Sequence, residues 1–222
     1  MTASKRALDL LGAGLGLLVL APVFGIIALA ISLDDGGPVF FRQPRVGERG
    51  VPFRLWKFRT MRPAPGAAIT IGADSRITRV GRRLRRYRLD ELPQLLNVLA
   101  GSMSLVGPRP EVPEFVADYA PAYRELLGYR PGITDPASVQ FRDEATILGG
   151  MADPVNGYRT QILPLKLATS LNYARRATTR SDIGVLVATA VAILADGTGH
   201  AAAVPLAVLH DSSEVRPDAP VR

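Results

Sequence analysis

Between Leu10 and Leu33 the chain runs for 24 residues without a charge, LLGAGLGLLVLAPVFGIIALAISL, and Pro22 stands near its middle. As a straight helix such a segment measures roughly 36 Å, enough to cross the roughly 30 Å hydrocarbon core of a bilayer. Pro22 withholds one backbone donor and its ring meets the carbonyl of Leu18, so the run predicts a helix that kinks or breaks at Ala21-Pro22. Lys5 and Arg6 precede the run and Arg42, Arg45 and Arg49 follow it. Basic residues on both flanks favour both ends remaining cytoplasmic. Three arrangements are open at this point: a spanning helix with everything after Leu33 outside, a secretory signal cleaved near Ala28-Leu29-Ala30, or a re-entrant helix-break-helix that enters one leaflet and returns. The run is longer than the apolar core of an ordinary signal peptide. Attachment to a membrane is the expectation, through a spanning or a re-entrant helix.

The residue inventory narrows what the rest can do. The 222 residues include no cysteine, which excludes disulfide scaffolds, cysteine-ligated zinc and thiol catalysis. The two histidines, His200 and His210, lie together near the end, so a Ser-His-Asp triad or a multi-histidine metal site is not expected. Chemistry must rest on carboxylates, Arg, Lys and hydroxyls. Lys+Arg number 27 against 20 Asp+Glu, and only Lys5, Lys57 and Lys166 are lysine. Arginine's planar fork suits phosphate; a compositional bias toward Arg, Ala, Gly and Pro would give the same count. A nucleic-acid partner is not expected, because there is one Trp and no aromatic platform or base-reading motif.

Residues 38–43 and 53–60 are aromatic and β-branched runs around a turn-rich RVGERG stretch and predict a β-hairpin. Residues 62–75, with Pro63, Pro65, Gly66 and Gly72, predict a flexible loop. A basic amphipathic helix is expected over 77–87, suited to an anionic surface. A second helix is expected over 90–100, with Leu92, Leu95, Leu96 and Leu99 on one stripe, Pro93 in its first turn and Asp90-Glu91 at its start. Residues 115–127 form another amphipathic stripe, 160–174 and 181–195 read as helical, and 196–222 predict a mobile tail. The fold class expected is mainly α with a small hairpin (α+β). Residues 1–36 are the membrane segment and 37–195 the catalytic domain.

Adjacent carboxylates at a helix start, Asp90 and Glu91, can divide labour: one attacks while the other holds a hard cation such as Mg²⁺ beside substrate phosphates. The plainer alternative makes Asp90 an N-cap and Glu91 a first-turn acid. Arg79, Arg82, Arg83, Arg85, Arg86 and Arg88 crowd the preceding stretch, where a solvated or lipid-facing stripe is the simpler reading. Arg109 sits between two prolines in GPRP, which stiffens its backbone. Lys57 and Arg59 are two apart on the second expected strand and share a face.

Taken together, KRALDL, the apolar run with Pro22, GPVFFRQPRVG, FRLWKFRTM, DSRITRVGRRLRRYRLDELPQLLNVLAGSMSLVGPRPE and YRPGITDPAS resemble the monotopic polyprenyl-phosphate sugar-phosphate transferases, also called bacterial sugar transferases or small phosphoglycosyl transferases. The resemblance covers residues 4 to 195 in order and spacing. It implies an enzyme on the cytoplasmic face of the bacterial inner membrane that moves a sugar 1-phosphate from a UDP-sugar to undecaprenyl phosphate and releases UMP, the first membrane step of glycan or exopolysaccharide assembly. By position it makes Asp90 the nucleophile and Glu91 the Mg²⁺ ligand. It assigns Arg85, Arg109, Lys57 and Arg59 to phosphate or substrate binding, and Pro22 to the break of a re-entrant helix held among membrane lipids, with a homo-oligomer allowed. Two departures stand out: Arg88 where many relatives have Ser, and TDPAS where many have a glycine-bearing sequence. The second falls in a region expected to bear on which sugar is taken. Larger relatives carry a further transmembrane domain ahead of this one, so the resemblance implies a minimal catalytic form.

Overall fold

The computed structural model describes residues 2–63, 74–118, 120–142 and 144–198. Residues 64–73, within the loop expected at 62–75, and residues 199–222, most of the expected tail, lie outside the described residues.

Ala3–Asp35 forms one α-helix of 33 residues, α1. The Thr2 hydroxyl caps its start by accepting from Lys5 N, and Gly36, at φ 69°, ends it in the left-handed conformation with its N–H on Ser32 O. The helix continues through Pro22, so the division into two helices expected there is absent. Proline removes one donor, whereas ending a helix at that point would orphan four carbonyls and four N–H groups with no Ser, Thr, Asp or Asn nearby to cap them. Among the described residues α1 is the one helix long and apolar enough to cross a membrane. Leu11, Leu15, Leu18, Val19, Ile26, Leu29 and Leu33 are between 61% and 77% exposed.

The opposite side of α1 is bound along its length. Near its start, Lys5 Nζ donates to Val106 O at 2.9 Å and pairs with Asp182 at 2.5 Å, and Arg6 donates to the carbonyls of Val98 and Leu99. Asp9, fully buried, accepts from Ser104 Oγ and Leu105 N. Ala13 enters a core with Leu55, Leu95, Val98 and Met103. Near its end, Ile27 and Ile31 pack with Phe58 and Leu84, Asp34 accepts from Val80 N at 3.0 Å, and Asp35 pairs with Arg59.

The expected hairpin is β1, Phe40–Val46, antiparallel to β2, Pro52–Phe58, with Arg42 opposite Trp56 and Phe40 opposite Phe58. The basic helix is α2, Arg79–Arg86, capped by Thr78 Oγ1 accepting from Gly81 N. Gly81 abuts Thr60 so closely that a Cβ would stand 2.2 Å from Thr60 O. The helix expected from Asp90 begins later. Leu89–Glu91 is a single 3-10 turn, and α3 is only Gln94–Leu99. Pro93 cannot donate to Leu89, so the bonds here run three residues back: Glu91 N to Arg88 O, Leu92 N to Leu89 O and Leu96 N to Pro93 O. Asp90 therefore caps nothing.

A second sheet, which alternation did not announce, pairs β3, Ser104–Val106, in parallel with β4, Gly132–Thr134. The stripe at 115–127 is two helices, α4 (Pro113–Asp118) and α5 (Ala120–Leu126). Short helices α6 (Pro136–Gln140) and α7 (Glu144–Gly149) follow. The helix expected at 160–174 runs as α8 (Pro154–Gly157), a π-turn (Tyr158–Ile162) and α9 (Leu163–Arg176). The last described element is α10 (Thr179–Thr198), whose Ile183, Val187, Val191 and Leu194 form an exposed apolar stripe. The body is thus mostly helical, as expected, with the parallel β3–β4 pair added to the expected hairpin.

Candidate active site

The 3-10 turn places Asp90 and Glu91 side by side at the junction of β2, α3 and the loop after β3, both buried. Their surroundings differ. Glu91 is clamped: Arg109 donates Nη2 to Oε1 at 2.6 Å and Nη1 to Oε2 at 3.2 Å, and Lys57 Nζ donates to Oε1 at 3.0 Å. The forked arginine contact is the stronger geometry for a carboxylate. Burial alone would push Glu91 up, but Arg109 and Lys57 outweigh it and hold its carboxyl well below the usual range. In turn the Glu91 charge raises Arg109, while burial, opposed by Glu91, brings Lys57 below an ordinary lysine.

Asp90 takes no hydrogen bond or ion pair from any described residue. Burial and the adjacent Glu91 charge push its carboxyl up, against the opposing fields of Lys57, Arg85 and Arg88. The result is a partnerless carboxylate, poorly solvated and ringed by cations at one remove, which is the condition of a nucleophile.

Of the residues singled out in the sequence, Lys57, Glu91, Arg109 and Asp90 are brought together, with Arg85 acting on Asp90 electrostatically while its Nη1 contacts Met61 Sδ. Arg59 is not. It leaves the strand after Phe58, its N–H bonds Val39 O, and its buried guanidinium pairs with Asp35 at the end of α1. A Cβ on Gly37 would overlap that guanidinium, which fixes it further. Arg59 fastens the hairpin to α1 instead of facing the two carboxylates.

Arg109 owes its position to a crossing of two glycines. Gly107 N donates to Thr134 O, Gly132 N donates to Pro108 O, and a Cβ on Gly132 would lie 2.1 Å from Gly107 N. GPRP and RPGIT, read separately in the sequence, are the two sides of this contact. Gly132→Ala is expected to force the strands apart, cost about 1–3 kcal/mol and draw Arg109 off Glu91. Denaturation and turnover measured together on the variant check this, and full activity would refute the coupling.

Several polar groups at the site carried no sequence signal beyond their neighbours. Glu111, immediately after GPRP, accepts from Tyr158 OH at 2.6 Å and pairs with Arg45 at 3.4 Å. The π-turn is what brings Tyr158 there. Lys166 pairs with Glu144 at 2.8 Å, and with Arg109, Glu111 and Ser170 it lines a small concavity. Arg88 holds a positive φ of 56° one residue before the 3-10 turn and donates Nη2 to Arg142 O at 2.6 Å. Buried Gln94, of DELPQ, has no partner for its amide nitrogen among the described residues.

A divalent cation can be tested against these donors. Mg²⁺ prefers one or two carboxylates with phosphate oxygens and retained waters. Asp90 is free and Glu91 adjacent, so the pair fits such a loosely held ion, although Glu91 must exchange Lys57 or Arg109 to take part. No cluster of three or more His, Asp or Glu exists among the described residues.

Known proteins resemble the chain in sequence. The chain is 44% identical over 158 residues to UDP-glucose:undecaprenyl-phosphate glucose-1-phosphate transferase of Escherichia coli, covering 66% of this chain and 33% of that protein. It is 37% identical over 205 residues to exopolysaccharide production protein PSS of Rhizobium leguminosarum, covering 88% of this chain and 97% of that one. It is 43% identical over 141 residues to UDP-N-acetylgalactosamine-undecaprenyl-phosphate N-acetylgalactosaminephosphotransferase of Aeromonas hydrophila, covering 61% of this chain and 33% of that protein. It spans about a third of the length of the first and last. The bacterial sugar transferase pattern matches residues 1–196, from α1 through most of α10, and with the clamped Glu91 beside a free Asp90 inside that span, the chain belongs to the bacterial sugar transferase family.

Proposed function

We propose that this protein transfers a sugar 1-phosphate from a UDP-sugar to undecaprenyl phosphate and releases UMP, with Asp90 as nucleophile. The observation that carries the reading is the contrast between two adjacent carboxylates, one clamped by Lys57 and Arg109 and one left bare. In the first half, an Asp90 oxygen attacks the phosphorus that bears the sugar. The bond from that phosphorus to the UMP oxygen breaks, and UMP leaves with the electron pair. In the second half, an oxygen of the lipid phosphate attacks the same phosphorus and the bond to Asp90 breaks, regenerating the carboxylate. Splitting the transfer lets one anion leave before the next enters. Arg109 and Lys57 hold a fixed positive field where phosphate charge builds up, and Arg85 and Arg88 extend it around Asp90. Mg²⁺, when bound at Glu91 with the substrate phosphates, supplies further neutralisation of the diphosphate.

The anchoring of α1 supports a one-sided topology. Its first residues and its last both bond the same body, through Lys5, Arg6 and Asp9 at one end and Asp34 and Asp35 at the other. A helix crossing the bilayer would carry one of these contact sets to the far side. The reading therefore keeps α1 in one leaflet, re-entrant or along the interface, and the body on the cytoplasmic face, where UDP-sugars are.

Incubation with a UDP-sugar labelled in the sugar, without lipid acceptor, is expected to leave label on Asp90 as an acyl phosphate that hydroxylamine removes, with one UMP released per label. Absence of label at any quench time, with kinetics requiring both substrates bound together, would favour direct transfer instead.

A further inference from the structure

The outer face of the hairpin carries an aromatic ladder that the transfer reaction does not use. It starts in α1, where Phe24, two residues past Pro22, meets buried Phe58 edge-on at 5.0 Å. Phe58 stacks on Phe40 across the hairpin at 5.4 Å, and Phe40 meets Trp56 edge-on at 5.6 Å. Arg42 closes it, with its guanidinium carbon 3.8 Å from the centre of the Trp56 ring. Within the ladder Phe58 is sealed, Trp56 is half-buried and Phe40 is 40% exposed. Arg42 and Arg54, on the same strand face, are exposed as well.

Partly exposed aromatic rings ending in a guanidinium are costly in water and suited to the boundary between acyl chains and headgroups. There the rings reach apolar surroundings while the cation stays with lipid phosphate. Continuity identifies the occupant. Phe24 and Phe58 join the ladder to the same helix whose Ile26, Leu29 and Leu33 face outward, and only Gly36 to Val39 separate the end of α1 from the start of β1. A leaflet that receives the second half of α1 lies beside the near end of the hairpin.

We propose that this ladder is a second lipid contact, which seats the hairpin at headgroup depth with Arg42 on lipid phosphate. The inference rests on the membrane reading of α1 given above and adds a function to it. Side chains alternate along β2, so the strand that turns Trp56 toward lipid turns Lys57 toward Glu91. The depth at which Trp56 rests then sets the height of the Lys57-Glu91 pair above the leaflet, and with it the reach of Asp90 to a lipid-borne phosphate.

Trp56 is the sole tryptophan, so its fluorescence reports on this face alone. The full chain is placed in nanodiscs of anionic phospholipid carrying a quencher either at the headgroup or deep in the acyl chain, without undecaprenyl phosphate. Emission is expected to shift to the blue, to resist acrylamide, and to be quenched more by the shallow probe than by the deep one. Nanodisc-bound protein that releases UMP while Trp56 stays open to acrylamide and blind to both lipid probes would overturn the ladder and leave the proposed transfer intact. Protection that appears only after undecaprenyl phosphate is added would overturn it too, assigning the face to the substrate's tail. Failure to bind nanodiscs at all would remove both the ladder and the membrane reading of α1.

Discussion

Asp90→Asn is expected to abolish sugar-phosphate transfer and, at the same time, to make the protein more stable. An amide cannot form the acyl phosphate, and loss of a covalent nucleophile costs on the order of four to six powers of ten in turnover. The stability gain follows from burial. The Asp90 carboxyl titrates above the usual 3.8 because the fold disfavours its charged form, so between the unfolded and folded pKa values the native state binds more protons than the unfolded one. Stability from this group therefore falls as pH rises through that window, and above it the charged side chain is a standing cost that Asn does not carry. The melting-temperature difference between variant and wild type should widen as pH rises across the window and then level off. The same titration sets the acidic limb of the activity profile, which should lie above the range of an ordinary aspartate. A variant that melts lower than wild type at neutral pH would show that Asp90 is held by contacts and not stranded.

Glu91→Gln is expected to act in the opposite sense on stability. It leaves Arg109 and Lys57 in place around a neutral amide, and removing one partner of a buried ion pair costs about 3–5 kcal/mol. Because its folded-state pKa is depressed, Glu91 contributes stability that is complete above its unfolded value and lost as pH falls toward the folded one. Glu91→Gln should accordingly flatten the loss of stability below about pH 4.3. Denaturant titration in detergent, with the Arg109→Gln and double variants closing a cycle, gives the coupling. A loss under about 1 kcal/mol, as for an exposed pair, would mean that the clamp does not persist in solution.

Opposite stability effects from neighbouring acids are not legible in the sequence. Spacing singled out Asp90, Glu91, Lys57 and Arg109 and the family resemblance gave them their expected roles, but Lys57 and Arg109 stand 34 and 18 residues from Glu91, and only the fold decides which acid they take. The same limit explains Arg59. Two-residue spacing on a strand put it beside Lys57, yet the strand ends at Phe58 and Asp35, 24 residues earlier, claims it. Periodicity served well wherever a helix buries one stripe, as in α2, α9 and α10. It failed where one backbone donor mattered: Pro93 was visible, and the shortening of the turn at Asp90-Glu91 followed from it. The parallel β3–β4 pair is three residues a side and carries its information in Gly107 and Gly132, whose close approach is a property of both segments together.

The contact of Lys5 with Asp182, 177 positions apart, together with Ser4 on Thr179, makes the described chain a closed loop in which the first helix is finished by the last. Synthesis runs in one direction, so α1 leaves the ribosome before any of the surfaces it binds have been made. On the membrane reading proposed above, its apolar flank meets lipid during that interval. On that reading the body condenses onto a helix already in its leaflet, and the closing ion pair forms only when α10 arrives. A chain released before Asp182 is made would keep α1 and its Lys5 bond to Val106, and lose the ion pair that ties α1 to α10.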